Sequence, residues 1–283
     1  MSSVPAGYGS LPDAALQALT ELVAREDPAI IGIILTGSAA RGIATELSDV
    51  DVIVVRDEPE SAREVARSSA IDEIPMTMAE LETVKPIGSD GAWVRWSLAW
   101  VQVLRDASGG RVLDAVHRQA TLSDQEIRDL LIGRSRLDEF INLIHRALKS
   151  HRDGRTEAAR LDSAESIASM LDVVFALFGR VRPYNKYLAW ELSEHPLQGA
   201  DWQERRLLRR INGFLEGNEA AVRESFLAVE QECRTYDQGS GQGVMSEVID
   251  AWGGELRLLR GPHGSQTAES WQRPNRSLES TSL

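Results

Sequence analysis

The chain has 283 residues, 42% hydrophobic and 26% charged, a length that favours two compact units and a composition ordinary for a globular protein. Its net charge of −12 argues against a nucleic-acid partner, because an acidic surface repels phosphodiester backbones, and would suit a cationic substrate. No run approaches the roughly 18 unbroken apolar residues of a membrane helix. The opening MSSVPAGYGS lacks a basic segment followed by an apolar one, so a cytoplasmic location is expected. The single cysteine, Cys233, excludes an internal disulfide and a thiolate zinc site and reads as a half-buried small hydrophobe. The five histidines show no metal-ligand spacing.

In SLPDAALQALTELVARE, Ser10 precedes Asp13 by three residues and Leu16, Leu19, Leu22 and Val23 follow at helical spacing, which predicts a first helix. AIIGIILT (29–36) and VDVIVV (50–55) are short β-rich runs bounded by turn residues. DEPESAREVARSS reads as a helix, AIDEIPMTM as a third strand, and VQVLRDASGG as a last strand running into a glycine turn. Between them WVRWSLAW sets Trp93, Trp96 and Trp100 at helical spacing, which predicts a core or interface stripe; a stacking wall for a base or sugar is the rival reading.

After about residue 120 the pattern becomes helical. Ser123 and Glu126 form a capping box before Ile127, Leu130, Leu137, Ile141, Ile144 and Leu148, which predicts one long amphipathic helix. Further helices are predicted around 156–180, 184–194, 202–215, 218–236 and 244–260. From Gly261 the polar, serine-rich sequence is too poor in apolar residues to order itself. The expected division is therefore 1–120, 121–260 and a disordered tail 261–283.

The stretch ILTGSAARGIATELSDVDVIVV (34–55) carries the chemistry. Asp49 and Asp51 are two apart, so on a strand their carboxylates share one face, and a hard divalent cation such as Mg²⁺ is the usual compensation. Gly37 and Ser38 end the preceding strand and open a short helix, where amides and a hydroxyl can hold phosphate oxygens; Arg41 adds positive charge.

Gly-Ser, ten residues, then DVDVIVV resembles the signature of the nucleotidyltransferase superfamily related to DNA polymerase β. The RG of GSAARG and the SD before the second strand resemble the small bacterial branch of antibiotic and minimal nucleotidyltransferases. The resemblance covers about residues 30–118. It implies an α+β fold: an N-terminal mixed sheet with flanking helices, followed by an all-α domain, with the active site in the cleft between them. It also implies a third carboxylate on a neighbouring strand, for which Asp72 is preferred to Glu73. The implied reaction is in-line attack of an acceptor hydroxyl on the α-phosphorus of ATP, with two Mg²⁺ ions held by Asp49, Asp51 and Asp72 and pyrophosphate leaving. Some relatives add a general base, for which Glu139, Glu165, Glu191 and Glu194 are candidates.

In RPYNKYLAWEL (182–192), Tyr184, Lys186 and Tyr187 cluster at a helix start, and the resemblance implies that Lys186 and Tyr184 close over the triphosphate. Arg146 and His151 form an R-x₄-H spacing seen in RNase toxins that partner minimal nucleotidyltransferases; a solvated helix end is the preferred reading. The favoured acceptor is a small-molecule hydroxyl, such as an aminoglycoside or lincosamide. A partner's tyrosine, as in the antitoxin branch, and a non-catalytic nucleotide sensor are the alternatives. Nucleobase preference and oligomeric state stay open.

Overall fold

A computed structural model describes residues 11–57, 66–68 and 70–261. The chain divides into two compact units, Met1–Ser123 and Asp124–Leu283. Ser10 and almost all of the expected tail lie outside the described residues.

The first unit alternates helix and strand: α1 (Asp13–Ala24), β1 (Ile30–Leu35), α2 (Gly37–Ala40), β2 (Asp51–Arg56), β3 (Ala66–Arg67), β4 (Asp72–Thr77), α3 (Met78–Glu82), α4 (Val94–Ser97), β5 (Gln102–Asp106) and α5 (Arg111–Ala120). The strands form one mixed sheet in the order β3-β4-β2-β1-β5. Only β2 and β4 run parallel. One edge of the sheet therefore gathers the C-terminal end of β1 and the first residues of β2, β4 and β5, and that edge carries every motif residue of this unit.

Both faces of the sheet are covered, which is why β1 and β2 read as continuous apolar runs rather than alternating ones. Leu19 and Leu22 of α1 pack with Ile33, Leu35, Val52 and Val54 on one face. Met78, Leu81, Val112 and Ala115 pack with Ile34, Ile53 and Val55 on the other. Gly32 lets α5 approach: a Cβ there would stand 2.8 Å from a Val112 methyl. Gly32→Val is expected to cost about 1–3 kcal/mol through overpacking, read as a lower urea midpoint.

Local chemistry sets the ends of α3 and α5. Thr77 and Glu80 form a reciprocal capping box at α3. Before α5, the Asp106 carboxylate accepts from the Ser108 amide at 2.9 Å and the Leu113 amide at 3.2 Å. Its burial works to raise its pKa, but these bonds and one from the Ser108 hydroxyl prevail and lower it. At the other end the fully buried Arg95 donates to the carbonyls of Thr121 (2.7 Å), Gln119 (3.0 Å) and Arg118 (3.3 Å), and to that of Lys85 (3.2 Å). A buried cation here serves the free carbonyls of the C-terminal turn.

Two expectations change in this unit. The helix expected over DEPESAREVARSS falls mostly on residues 58–65, outside the described residues, and its end, Ala66–Arg67, is strand. The tryptophan stripe does not form: Trp96 is 1% exposed, Trp93 68% and Trp100 38%. α4 lasts a single turn, and Trp100 has φ 58°, so helical periodicity does not reach it.

The second unit is helical: α6 (Asp124–Arg128), α7 (Arg136–Arg152), α8 (Thr156–Leu177), α9 (Leu188–Glu194), α10 (Glu204–Glu216), α11 (Glu219–Ser240) and α12 (Val244–Asp250). The single long helix expected from Ser123 is interrupted. A π-helical turn, Asp129–Gly133, follows α6, and Ser135 adopts φ 55° before α7 begins. The apolar stripe survives the break, because Leu130, Leu137, Ile141, Ile144 and Leu148 are all buried. Ser163, Ser166 and Ser169 are buried on α8, each hydroxyl donating to a carbonyl of the preceding turn.

Arg146 and His151 lie toward the C-terminal end of α7, Arg146 exposed and His151 half-buried, and each also has a partner elsewhere in the unit. Arg146 pairs with Asp162 at 2.8 Å and His151 Nε2 meets the Gly217 carbonyl at 2.5 Å, so both tie α7 to its neighbours. Cys233 is fully rather than half buried, and burial pushes its thiol pKa far up. One turn earlier, the fully buried Glu230 carboxylate is held by Arg234 at 3.0 Å and Arg260 at 2.5 Å. Among the described residues no helix is long and apolar enough to cross a membrane.

Candidate active site

The site is built where β1 ends and β2 and β4 begin. Asp51 opens β2 and lies opposite Asp72, which opens β4, in the parallel register. Asp49 lies in the approach to β2, two residues before Asp51 and so on the same face. One carboxylate oxygen from each of Asp49, Asp51 and Asp72 falls within 4.8 Å of the others. Asp49 is exposed and the other two half-buried. Arg67, itself exposed, pairs with Asp72 at 3.8 Å. Like charges this close raise one another's energy unless a cation lies between them. Three hard oxygen donors at a solvent-accessible edge fit a divalent ion such as Mg²⁺.

Glu73 does not join them. Its carboxylate turns to the other side of β4, where the Arg25 guanidinium donates to both oxygens at 3.0 and 2.9 Å. Alternation along the strand separates the two acidic neighbours.

Across β2, the Thr36 amide donates to the Asp51 carbonyl at 3.0 Å and the chain turns into α2. Gly37 has φ 67°, and a Cβ there would lie 2.7 Å from the Asp51 carboxylate. Glycine is needed twice, for the left-handed turn and for clearance beside the acidic group. Ser38 follows, half-exposed, on the first turn of α2.

Arg41 is placed differently from its expected position facing phosphate. It is buried, its guanidinium over the Trp96 ring at 4.2 Å and donating to the carbonyls of Gly37 (2.6 Å), Ala99 (2.6 Å) and Trp96 (3.3 Å). The Thr36 hydroxyl donates to the Ser97 carbonyl at 2.5 Å and the Gln102 amide to the Ala40 carbonyl at 2.9 Å. The turn over residues 36–41 is thus riveted to the segment 96–102. These bonds run between residues some sixty positions apart and end on carbonyls, which every residue has, so no side-chain pattern announced them.

Residues 16–86 match the family model for the nucleotidyltransferase domain. The N-terminal unit carries a nucleotidyltransferase domain. The superfamily resemblance seen in GSAARG and DVDVIVV is therefore met by a family match that covers residues 16–86. Among solved structures, a nucleotidyltransferase-like protein from Exiguobacterium sibiricum 255-15 aligns at 12% identity over 77% of this chain and 79% of that one, with a TM-score of 0.35. No curated protein gives a significant match.

The remaining candidates lie in the second unit rather than in the nucleotidyltransferase domain. Tyr184 is half-buried, and the exposed Lys186 holds its ammonium 4.6 Å from the Tyr187 ring, on a short 3₁₀ turn, Asn185–Tyr187. Of the four glutamates, Glu191 is buried in an ion pair with Arg180 and Glu139 pairs with Arg136 at 2.5 Å, whereas Glu165 and Glu194 are exposed.

Proposed function

We propose that this protein is a metal-dependent adenylyltransferase that moves AMP from ATP to the hydroxyl of a small molecule. The observation that carries the reading is the convergence of Asp49, Asp51 and Asp72 within 4.8 Å beside the Gly37 turn of a nucleotidyltransferase domain. Asp49, Asp51 and Asp72 would hold two Mg²⁺ ions, which when bound lower the pKa of the acceptor hydroxyl and offset charge on the α-phosphate and the leaving pyrophosphate. The chain's own part is positioning. The Gly37 and Ser38 amides and the Ser38 hydroxyl bind phosphate oxygens. Arg41 enters this scheme as the residue that holds the turn in shape, a revision of the phosphate contact first expected of it. Lys186 and Tyr184 supply a cation and a hydroxyl to the β- and γ-phosphates.

An acceptor that is a cationic antibiotic, such as an aminoglycoside, or a lincosamide is supported by the net charge of −12 and by the presence of a second, helical unit. The test is incubation with Mg²⁺ and ATP labelled at the α-phosphate, alongside an aminoglycoside and lincosamide panel and a cell lysate. Label on a small molecule supports the reading and names the acceptor. Label on a protein band replaces it with protein AMP transfer, and ATP bound without transfer to anything replaces it with nucleotide sensing.

In the same assay Lys186→Ala is expected to raise the KM for ATP about tenfold, the scale of one lost charge-assisted contact. Unchanged KM and turnover would remove Lys186 from the donor site.

A further inference from the structure

We propose that Trp100 is the residue on which the donor nucleobase stacks. The proposal rests on the nucleotidyl-transfer reading and assigns one further contact of the same site.

Two observations single Trp100 out. Its backbone is left-handed, φ 58°, one of two non-glycine residues so placed among the described residues. For a bulky side chain that region is sparsely populated and costly, and it persists only where the surroundings over-determine it. Here they do: Leu98 and Ala99 just before it are buried, and the Trp96, Ser97 and Ala99 carbonyls are held by Arg41 and Thr36. The second observation is exposure. With its neighbours buried, Trp100 remains 38% exposed, so the kink turns a large aromatic surface outward that regular packing would have covered.

Its location fits a nucleotide. β5 begins at Gln102 opposite Leu35, and Leu35 lies opposite Val52, the residue after Asp51. Gln102 is therefore about 10 Å from β2 by two interstrand spacings, and Trp100 lies two residues before it, at the end of the sheet that carries the triad. The clamp from residues 36–41 fixes this segment relative to the phosphate-binding turn. A rigid aromatic ring at that separation from a metal and phosphate centre recognises a flat heteroaromatic group, and every nucleobase offers a π-face.

The test compares wild type, Trp100→Phe and Trp100→Gly by calorimetry, using two probes with Mg²⁺: α,β-methylene-ATP and tripolyphosphate, which has phosphates and no base. Trp100→Gly is expected to weaken the nucleotide analogue about tenfold or more while binding tripolyphosphate as wild type does. Trp100→Phe, which keeps a ring, should bind the analogue within about threefold of wild type. The proposal is overturned if Trp100→Gly binds the analogue normally, if it loses both probes equally, or if Trp100→Phe loses as much as Trp100→Gly. Wild-type protein that binds neither probe would overturn the nucleotidyl-transfer reading itself.

Discussion

Asp51→Asn is expected to lower AMP transfer by about a thousandfold while raising the melting temperature of the metal-free protein. Asp51 lies at the centre of the triad, two residues from Asp49 on its own chain and opposite Asp72 in register. Asparagine keeps the shape and one oxygen but removes a full negative charge from the ligand set. Metal-borne charge stabilisation is worth several kcal/mol, and each 1.36 kcal/mol is tenfold in rate, which gives about that loss. Without metal the same charge repels Asp49 and Asp72, and removing it relieves about 0.5–1 kcal/mol of that repulsion. The two measurements are label transfer from ATP and thermal unfolding in EDTA. A variant that keeps its rate would mean that the carboxylates do not hold the catalytic ions. One that loses both rate and stability would mean that Asp51 acts mainly on the fold.

The largest effect on stability is expected from Arg95→Met. Methionine fills much of the same volume but donates nothing, and Arg95 now serves carbonyls of Lys85, Gln119, Arg118 and Thr121 in a fully buried position. Each buried carbonyl left without a partner costs about 1–3 kcal/mol, tempered by rearrangement and water, so a loss of about 3–5 kcal/mol is expected. For a unit of this size that lowers the melting temperature by about 10 °C or more. Arg95→Lys should recover part of it, because one ammonium reaches fewer carbonyls than a guanidinium fork. Arg95 immediately precedes the segment that Arg41 and Thr36 clamp, so the same variant should also loosen ATP affinity. A melting temperature within about 2 °C of wild type would show that the four carbonyls find other partners.

Much of the nucleotidyltransferase domain is legible in one dimension because its signals are local. AIIGIILT and VDVIVV declare themselves as strands by β-branched runs between turn residues. The Asp49–Asp51 spacing fixes two carboxylates on one face whatever the rest of the chain does. The Gly-Ser turn followed by DVDVIVV carries the superfamily signature. The helical character of the second unit is equally plain from its 3.6-residue periodicity.

The tryptophan stripe and the single long helix fail for one reason: the backbone breaks where the sequence periodicity continues unbroken. Trp93, Trp96 and Trp100 have helical spacing, but the helix lasts one turn, so only Trp96 is buried. The stripe from Ile127 to Leu148 is continuous in burial while the backbone changes from α to π to left-handed at Ser135. Arg146 and His151 also carry partners, Asp162 and the Gly217 carbonyl, which helical periodicity does not reveal.

By itself the sequence determined the strands β1 and β2, the helical character of the second unit, that Asp49 and Asp51 share a face, and that Gly37 must turn the chain, since these depend on neighbours within a few positions. The tertiary structure decided that β4 lies parallel to β2 with Asp72 opposite Asp51, while Glu73 is turned away and held by Arg25. It also decided that Arg41 faces inward onto the Trp96, Ala99 and Gly37 carbonyls. Strand order and side-chain partners depend on loop closures tens of residues long. A charged side chain takes whichever acceptors those closures bring to it, and a carbonyl acceptor leaves no trace in the sequence.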